Sequence, residues 1–174
     1  MDAIAEFNAL PAERVQAELL ACCAAPGWAA RIAAGHPYRS KDDLYAAADA
    51  AARALSWADV LTGLAAHPRI GERAQGDSRE AAWSRREQAA ASSGREQAAA
   101  GGEDATATAL AEANRAYEQR FGHVFLIFAS GRTPEQILAA ARARLANDDA
   151  TERAVVADEL RRIALLRLER LLDE

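Results

Sequence analysis

Apolar residues recur at three- and four-residue spacing along most of the chain, which is the period of an amphipathic helix. Between Pro11 and Ala25, for example, Val15, Leu19 and Cys22 fall on one face. The pattern predicts about eight helices around one core. The candidate helical segments, some of them short, span about 4–10, 11–25, 28–34, 41–55, 57–66, 78–91, 103–120, 134–145 and 150–172, which makes nine at most.

Local start signals support three of these helices. Ser40, Ser56 and Thr133 each stand directly before a predicted helix, with an aspartate or glutamine three residues later. In this capping-box pattern, side chain and main chain satisfy each other's hydrogen bonds at the helix start. Pro134 follows Thr133, and proline suits the first helical position.

Three stretches depart from the amphipathic pattern. Residues 121–132 are short, almost entirely apolar and bounded by glycines. Periodicity cannot separate a buried strand from a buried helix here, so both remain open. The polar stretch 72–77 predicts a loop, the stretch 92–102 predicts a loop or a helical turn, and the helix over 78–91 is expected to be exposed and charged. We predict an all-α, single-domain multi-helix bundle over 1–174, with one short apolar extended segment.

Composition agrees with helices and narrows the class of function. The chain has 47 alanines, and alanine is the best helix former. A net charge of −5 argues against a general nucleic-acid binder, which needs a basic face. No apolar run approaches the ~18 residues of a membrane span, and no secretory signal opens the chain. Cys22 and Cys23 are adjacent, which predicts buried thiols in a reducing cytoplasm rather than a disulfide framework.

The sequence lacks the residues that several kinds of catalytic site require. The single lysine, Lys41, lies at a predicted helix start, which argues against a pyridoxal-phosphate enzyme. His36, His67 and His123 have no metal-ligand spacing and no neighbouring cysteine, so we predict no metal site. The chain also lacks a GxSxG elbow, a P-loop and a GxGxxG motif.

General acid–base chemistry remains possible. His67 and His36 each precede a proline, and a histidine at a helix end has a pKa near neutrality. Glu87 lies about twenty residues after His67 on a predicted helix. From the residues alone, two interpretations stay open: an acid–base pair, or a helix-terminal histidine and an unrelated solvated carboxylate.

Five elements in order carry a resemblance. They are Asn8-Ala9-Leu10-Pro11, the stretch from His67 to Gly71, Ser84-Arg85-Arg86-Glu87-Gln88, the stretch from Asn114 to Gly122 with the apolar run after it, and Leu166-Arg167-Leu168. Together they resemble the decarboxylases of 2-oxo-4-hydroxy-4-carboxy-5-ureidoimidazoline (OHCU) over nearly the whole chain. His123-Val124 departs from the Phe-Pro of other members, and the helix from Ser78 is unusually rich in arginine and alanine.

The resemblance implies an all-helical, cofactor-free and metal-free cytoplasmic enzyme, commonly a homodimer, that converts OHCU to (S)-allantoin in urate degradation. It implies that His67 is the catalytic acid/base and that Glu87 works beside it. The substrate-binding set that it implies comprises Pro68, Ser84 and Gln88, the main chain of Phe125, Leu126, Ile127, Phe128 and Ala129, and Arg167.

Two other functions stay open at this point. One is a cofactor-free lyase or hydrolase that acts on another ureido compound with the same acid–base pair. The other is a non-catalytic helical interaction module, in which 121–132 is an ordinary core strand or a partner-binding ridge.

Overall fold

The computed structural model describes residues 3–72, 78–92 and 100–173. Within these ranges the chain forms nine α-helices and no β-strand, which confirms the all-α prediction. The helices are α1 (Ala3–Asn8), α2 (Ala12–Cys22), α3 (Pro26–Ala34), α4 (Lys41–Arg53), α5 (Trp57–Leu64), α6 (Arg79–Ser92), α7 (Ala100–Phe121), α8 (Pro134–Arg144) and α9 (Asp149–Asp173). The chain divides into two compact units, the first of Met1–Ala66 with Ala157–Glu174 and the second of His67–Val156.

The first unit is built around α3, which packs against α2, α4 and α5. Trp28 on α3 is completely buried, and its indole nitrogen donates a hydrogen bond to the carbonyl of Ala48 on α4 at 3.0 Å. Val15, Leu19 and Cys22 are also completely buried, which confirms the predicted apolar face of α2. The unit therefore has its own apolar core with a satisfied polar atom inside it.

Asn8 connects α1 to the loop before α4. Its side-chain nitrogen donates to the carbonyl of Tyr38 at 2.7 Å, and its oxygen accepts from the Tyr38 amide at 2.9 Å. The Tyr38 hydroxyl donates in turn to the carbonyl of Ile32 on α3 at 2.7 Å. The first of the five sequence elements therefore has a structural role. Its asparagine forms hydrogen bonds with the amide and the carbonyl of Tyr38, a residue that lies outside the helices.

The predicted helix starts are confirmed. Ser56 and Thr133 form complete capping boxes, at α5 with Asp59 and at α8 with Gln136. The hydroxyl of Ser40 accepts from the third amide of α4 at 3.0 Å. An N-cap of this kind is typically worth about 1 kcal/mol, so these residues fix where the helices begin.

The second unit has its core between α7 and α8. Its apolar cluster combines residues of both helices with residues of the chain between them. The buried members are Leu110, Ala113, Tyr117, Phe125, Ile127, Ala129, Ile137, Leu138 and Ala141. The apolar face predicted for the α7 segment therefore lies in the core.

The chain between α7 and α8 is neither a strand nor a helix, so both alternatives left open for 121–132 are wrong. Gly122 and Gly131 have φ angles of +77° and +78°, a region that favours glycine, and they bracket residues 124–129, which have no regular structure. Arg132 and Arg144 donate side-chain hydrogen bonds to carbonyls of this segment. These side-chain bonds satisfy carbonyls that a strand or a helix would satisfy with main-chain hydrogen bonds. The spacing of hydrophobic residues gives no information about such bonds.

Helix α6 is less exposed than its charged sequence predicts. Trp83 is 1% exposed, and Ser84 and Glu87 are buried as well. One side of α6 is therefore packed, whereas its arginines dominate the sequence pattern. Of the predicted loop over 72–77 and the predicted loop or helical turn over 92–102, residues 73–77 and 93–99 lie outside the described residues, and 100–102 belongs to α7.

Candidate active site

The predicted catalytic histidine lies in a short turn that follows α5. We define the His67 turn as residues 67–72. His67 is 9% exposed and stands beyond the last residue of α5, as the following proline predicts. Ile70 of the turn packs against the apolar cluster of the second unit. The turn is thus anchored to the same core that holds residues 125–129.

Two side chains of α7 hold the His67 turn. The Asn114 side-chain nitrogen donates to the carbonyl of Ile70 at 2.9 Å. Glu118 accepts two hydrogen bonds from the guanidinium of Arg69, at 2.5 and 3.0 Å, and these bonds lower the pKa of Glu118. A bidentate pair fixes orientation as well as distance. Helix α7 therefore forms hydrogen bonds with two consecutive residues of the turn, Arg69 and Ile70.

Helix α6 presents its predicted site residues on one face. Ser84, Glu87 and Gln88 are three and four residues apart, which places them side by side on a helix. Ser84 and Glu87 are buried, and Glu87 is 8% exposed. The Gln88 side chain accepts from the amide of Gly71 at 3.2 Å and donates to the carbonyl of Glu72 at 3.1 Å. The structure therefore brings the α6 face to the His67 turn.

A cleft of about 530 Å³ lies where the turn, α7 and the start of α8 meet. Among the described residues that line it, Gln88 is the only one of the predicted site residues. The buried side-chain oxygen of Asn114, which also lines the cleft, has no hydrogen-bond partner among the described residues.

Residues 125–129 carry buried side chains and a partly open main chain. The carbonyl of Leu126 accepts from Arg144 at 2.7 Å, and that of Phe128 accepts from Arg132 at 3.1 Å. The amides of Leu126, Ile127 and Ala129 and the carbonyls of Phe125 and Ile127 have no hydrogen bond within the described ranges. Main-chain groups in a buried environment require partners, so this pattern is suited to bind a planar polar ligand.

A buried ion pair supports this segment. Arg144 ends α8, and its Nε and Nη2 donate to Glu152 of α9 at 2.8 and 2.6 Å. Glu152 is 1% exposed and also accepts from the Tyr117 hydroxyl and, at 2.9 Å, from the Asn147 side chain. Burial, and then the Glu152 contact, raises the pKa of Tyr117 well above its usual range. The phenol is therefore a hydrogen-bond donor to the carboxylate.

Arg167 lies on α9 in the first unit, where its side chain is buried. Burial raises the pKa of the neighbouring Cys23 thiol to about 11, and the charge of Arg167 partly opposes that rise. The role of Arg167 as a substrate-binding residue beside His67 and Glu87 stays a prediction.

The sequence interpretation overlooked Arg144 and Glu152. On α8 the buried positions are Ile137, Leu138, Ala141 and Arg144, so the arginine falls on the apolar face. A charged residue at a position where the helical period demands an apolar one is the signal that could have revealed this pair.

No group of three or more His, Cys, Asp or Glu side chains in 3–72, 78–92 and 100–173 is arranged to hold a metal ion. None of the helices in those ranges is long and apolar enough to cross a membrane.

Comparisons with known proteins agree with the sequence elements. The sequence model of the family described as OHCU decarboxylase matches residues 8–169. The chain is 30% identical over 161 residues to the uric acid degradation bifunctional protein TTL of Arabidopsis thaliana, a match that covers 88% of this chain and 46% of that relative. The chain therefore spans about half the length of this bifunctional relative.

A second relative and two crystal structures extend the comparison. The chain is 31% identical over 144 residues to the 2-oxo-4-hydroxy-4-carboxy-5-ureidoimidazoline decarboxylase of Haloferax volcanii, which covers 82% of this chain and 79% of that protein. It superposes with a TM-score of 0.71 and 29% identity on an OHCU decarboxylase crystallised in the presence of (S)-allantoin, over 90% of this chain and 98% of that one. An (S)-allantoin synthase shares the fold, with a TM-score of 0.68 and 18% identity over 97% of this chain and 53% of that one. The chain belongs to the OHCU decarboxylase family.

Proposed function

We propose that this chain decarboxylates OHCU to (S)-allantoin and CO₂ in urate degradation. The supporting observation is its similarity, over nine-tenths of its length, to an OHCU decarboxylase crystallised in the presence of (S)-allantoin. The buried His67, the buried Glu87 and the open main chain of 125–129 all lie in the second unit, which is consistent with this activity.

The chemistry of the substrate explains how such a reaction proceeds without an added electron sink. Loss of CO₂ leaves an electron pair on carbon, and the adjacent C=N and carbonyl groups of the ring accept it. The protein must then orient the carboxylate perpendicular to the ring, stabilise the developing charge and deliver a proton to one face. Preorganised hydrogen-bond donors in a site with little water perform the second task well.

His67 and Glu87 have the catalytic roles in this proposal. Glu87 polarises His67, and His67 engages the 4-hydroxyl of the substrate as CO₂ departs. Burial of both side chains supports these roles, because electrostatic interactions are stronger where water is scarce.

The remaining predicted residues bind the substrate. Pro68, Ser84 and Gln88 line it, the main chain of 125–129 holds the ring, and Arg167 provides a bidentate contact to planar oxygens. Gln88 already bonds to the main chain of Gly71 and Glu72. It therefore links substrate contact to the geometry of the His67 turn.

The test is turnover of freshly generated OHCU, followed by the optical activity of the (S)-allantoin that forms. We expect His67→Ala to abolish turnover and Glu87→Gln to lower kcat by about 100-fold or more, the range of general acid–base catalysis. His36→Ala is the matched control, because His36 also precedes a proline but is not among the predicted site residues, and its ring nitrogen lies 3.4 Å from the Phe7 carbonyl oxygen. It should retain wild-type kcat.

The outcomes separate the remaining alternatives. Full turnover by His67→Ala would refute the catalytic placement. No turnover of OHCU by the wild-type protein would favour the other ureido-compound enzyme or the interaction module. Turnover of hydantoins or ureido acids with the same dependence on His67 would then identify the former.

We also propose that residues 1–174 act as one domain, that the protein is a homodimer and that it is cytoplasmic. The family match across both units supports the first proposal, and the adjacent buried cysteines support a reducing compartment. A single cooperative unfolding transition, light scattering at twice 18.6 kDa and recovery in the cytoplasmic fraction are the expected results.

A further inference from the structure

The guanidinium of Arg144 joins the buried carboxylate of Glu152 to the main chain of the 125–129 segment. Two of its nitrogens donate to Glu152, and the third, Nη1, donates to the carbonyl of Leu126 at 2.7 Å. Because the guanidinium is a rigid plane, the two bonds to Glu152 determine where the third nitrogen points. Arg144 thus transmits the position of one carboxylate to one carbonyl group.

Glu152 is itself held in place from two sides. The Tyr117 hydroxyl donates to the oxygen that Arg144 contacts, and the Asn147 side chain donates to the other at 2.9 Å. The Arg144 guanidinium also lies 4.6 Å from the centre of the Phe125 ring and 5.7 Å from that of Tyr117. Both oxygens of Glu152 therefore accept hydrogen bonds, and the guanidinium of Arg144 packs against two aromatic rings. A buried ion pair requires such additional contacts.

The direction of the Leu126 carbonyl has a consequence for the next amide. In a planar trans peptide unit, the C=O of one residue and the N–H of the next point in opposite directions. The bond to Arg144 therefore turns the Ile127 amide away from Arg144. In the same way, the bond from Arg132 to the Phe128 carbonyl turns the Ala129 amide away from Arg132. Neither amide has a hydrogen bond among the described residues.

We propose that Arg144, fixed by Glu152, is a positioning residue that aims the main chain of 125–129 at the ring of the substrate. The amide of Ile127 is the donor that Arg144 orients, and the Ala129 amide, oriented by Arg132, is the second donor of the segment. Ring carbonyl oxygens are the acceptors that the two amides fit. This inference rests on the proposed function, because only a planar substrate with such oxygens uses both donors.

The direct test is Arg144→Lys. Lysine keeps the charge opposite Glu152, but its single ammonium cannot reproduce three directed bonds in one plane. The ring is held in both the ground state and the transition state, so we expect KM for OHCU to rise about tenfold while kcat changes less than threefold. Arg142→Lys, the same change at an exposed position of α8, is the matched control and should leave both constants unchanged.

A second measurement does not depend on turnover. We expect the ¹⁵N order parameters of the amides in 125–129 to be those of a rigid backbone, about 0.85, in the wild type, and to fall toward about 0.6 in Arg144→Lys. The order parameters of α7 and α8 should stay as in the wild type. A purely structural role would lower the melting temperature without this local change.

The results separate this inference from the proposed function. A folded Arg144→Lys with wild-type KM and wild-type order parameters overturns the inference, as does a loss confined to kcat. If the wild type fails to turn over OHCU, the proposed function is wrong, and the order parameters alone decide whether Arg144 orients the segment. If Arg144→Lys does not fold, Tyr117→Phe decides: it removes one donor to Glu152, and an unchanged KM with unchanged order parameters overturns the inference.

Discussion

The side-chain oxygen of Gln88 accepts a hydrogen bond from the main-chain amide of Gly71 at 3.2 Å. The side-chain nitrogen of Gln88 donates to the carbonyl of Glu72 at 3.1 Å. Gln88 directly follows Glu87 on α6, and Gly71 ends the motif that begins with His67. One side chain therefore sets the distance between the helix with the predicted carboxylate and the turn with the predicted imidazole.

We predict that Gln88→Ala lowers kcat/KM for OHCU tenfold or more and the free energy of unfolding by about 1 kcal/mol. Both bonds to the turn are lost, so the turn and the α6 face are no longer in fixed register. Gln119→Ala, at an exposed position of α7, is the control and should change neither quantity. Unchanged kcat/KM in Gln88→Ala would contradict the role given to this side chain.

The conformation of Gly71 leads to a second prediction. Its φ of +92° is unfavourable for residues with a Cβ, although the nearest side-chain atom to an added Cβ, from Leu110, is 3.7 Å away. The cost of Gly71→Ala is therefore backbone strain rather than a clash, and we expect about 1–2 kcal/mol of destabilisation in urea unfolding. Gly102→Ala, in open space on α7, should instead stabilise by about 0.5 kcal/mol. Equal effects at the two positions would refute this account of the turn.

The Arg69–Glu118 pair predicts how stability depends on pH. The hydrogen bond from Arg69 lowers the pKa of Glu118 in the folded state. A carboxylate of this kind stabilises the fold above its unfolded pKa of about 4.3, and the stabilisation is lost as the pH falls through the lower folded value. Between about pH 5 and pH 3, Glu118→Gln should therefore lose less stability than the wild type.

The pH series needs a control, because other carboxylates also titrate in this range. Glu112→Gln changes an exposed carboxylate on the same helix. The free energy of unfolding, measured in urea, should depend on pH in the same way in the wild type and in Glu112→Gln. An equal pH dependence in Glu118→Gln would contradict the role given to the Arg69–Glu118 pair. Raising the salt concentration should reduce the difference, since the Arg69 side chain is about half exposed to solvent.

The two cysteines should be unreactive in the folded protein. Cys22 and Cys23 are buried, and burial raises the pKa of Cys23 to about 11. The thiolate is the reactive form, so it is scarce at pH 8. We expect no titration by Ellman's reagent within minutes under native conditions and two thiols per chain in urea. Rapid native titration of either thiol would show that this part of the first unit opens readily.

The helices were predictable because their signals are local. Ser56 and Thr133 satisfy amides only three residues away, so a short stretch of sequence contains the whole interaction. The chain over 121–132 was not predictable in the same way. Two of its carbonyls accept side-chain hydrogen bonds from Arg132 and Arg144, and the second of these arginines lies on the next helix.

The site divides along the same line. The family elements predicted a site at the His67 turn and the α6 face, which stays a prediction, and the family assignment is confirmed by the match over residues 8–169. The burial of Glu87 was not evident, because the arginines that flank it make α6 resemble a surface helix. Burial arises from tertiary packing, which one helix's composition does not determine.

The open edge of 125–129 consists of peptide groups, and every residue type except proline offers the same N–H there. Exchanges among aliphatic side chains at these positions would alter how the segment packs while leaving the main-chain amides of Ile127 and Ala129 as they are. A proline at position 127 or 129 would delete a donor without changing any charge. Ligand recognition through main-chain amides, as proposed for this segment, thus tolerates changes of side chain and is sensitive to a single proline.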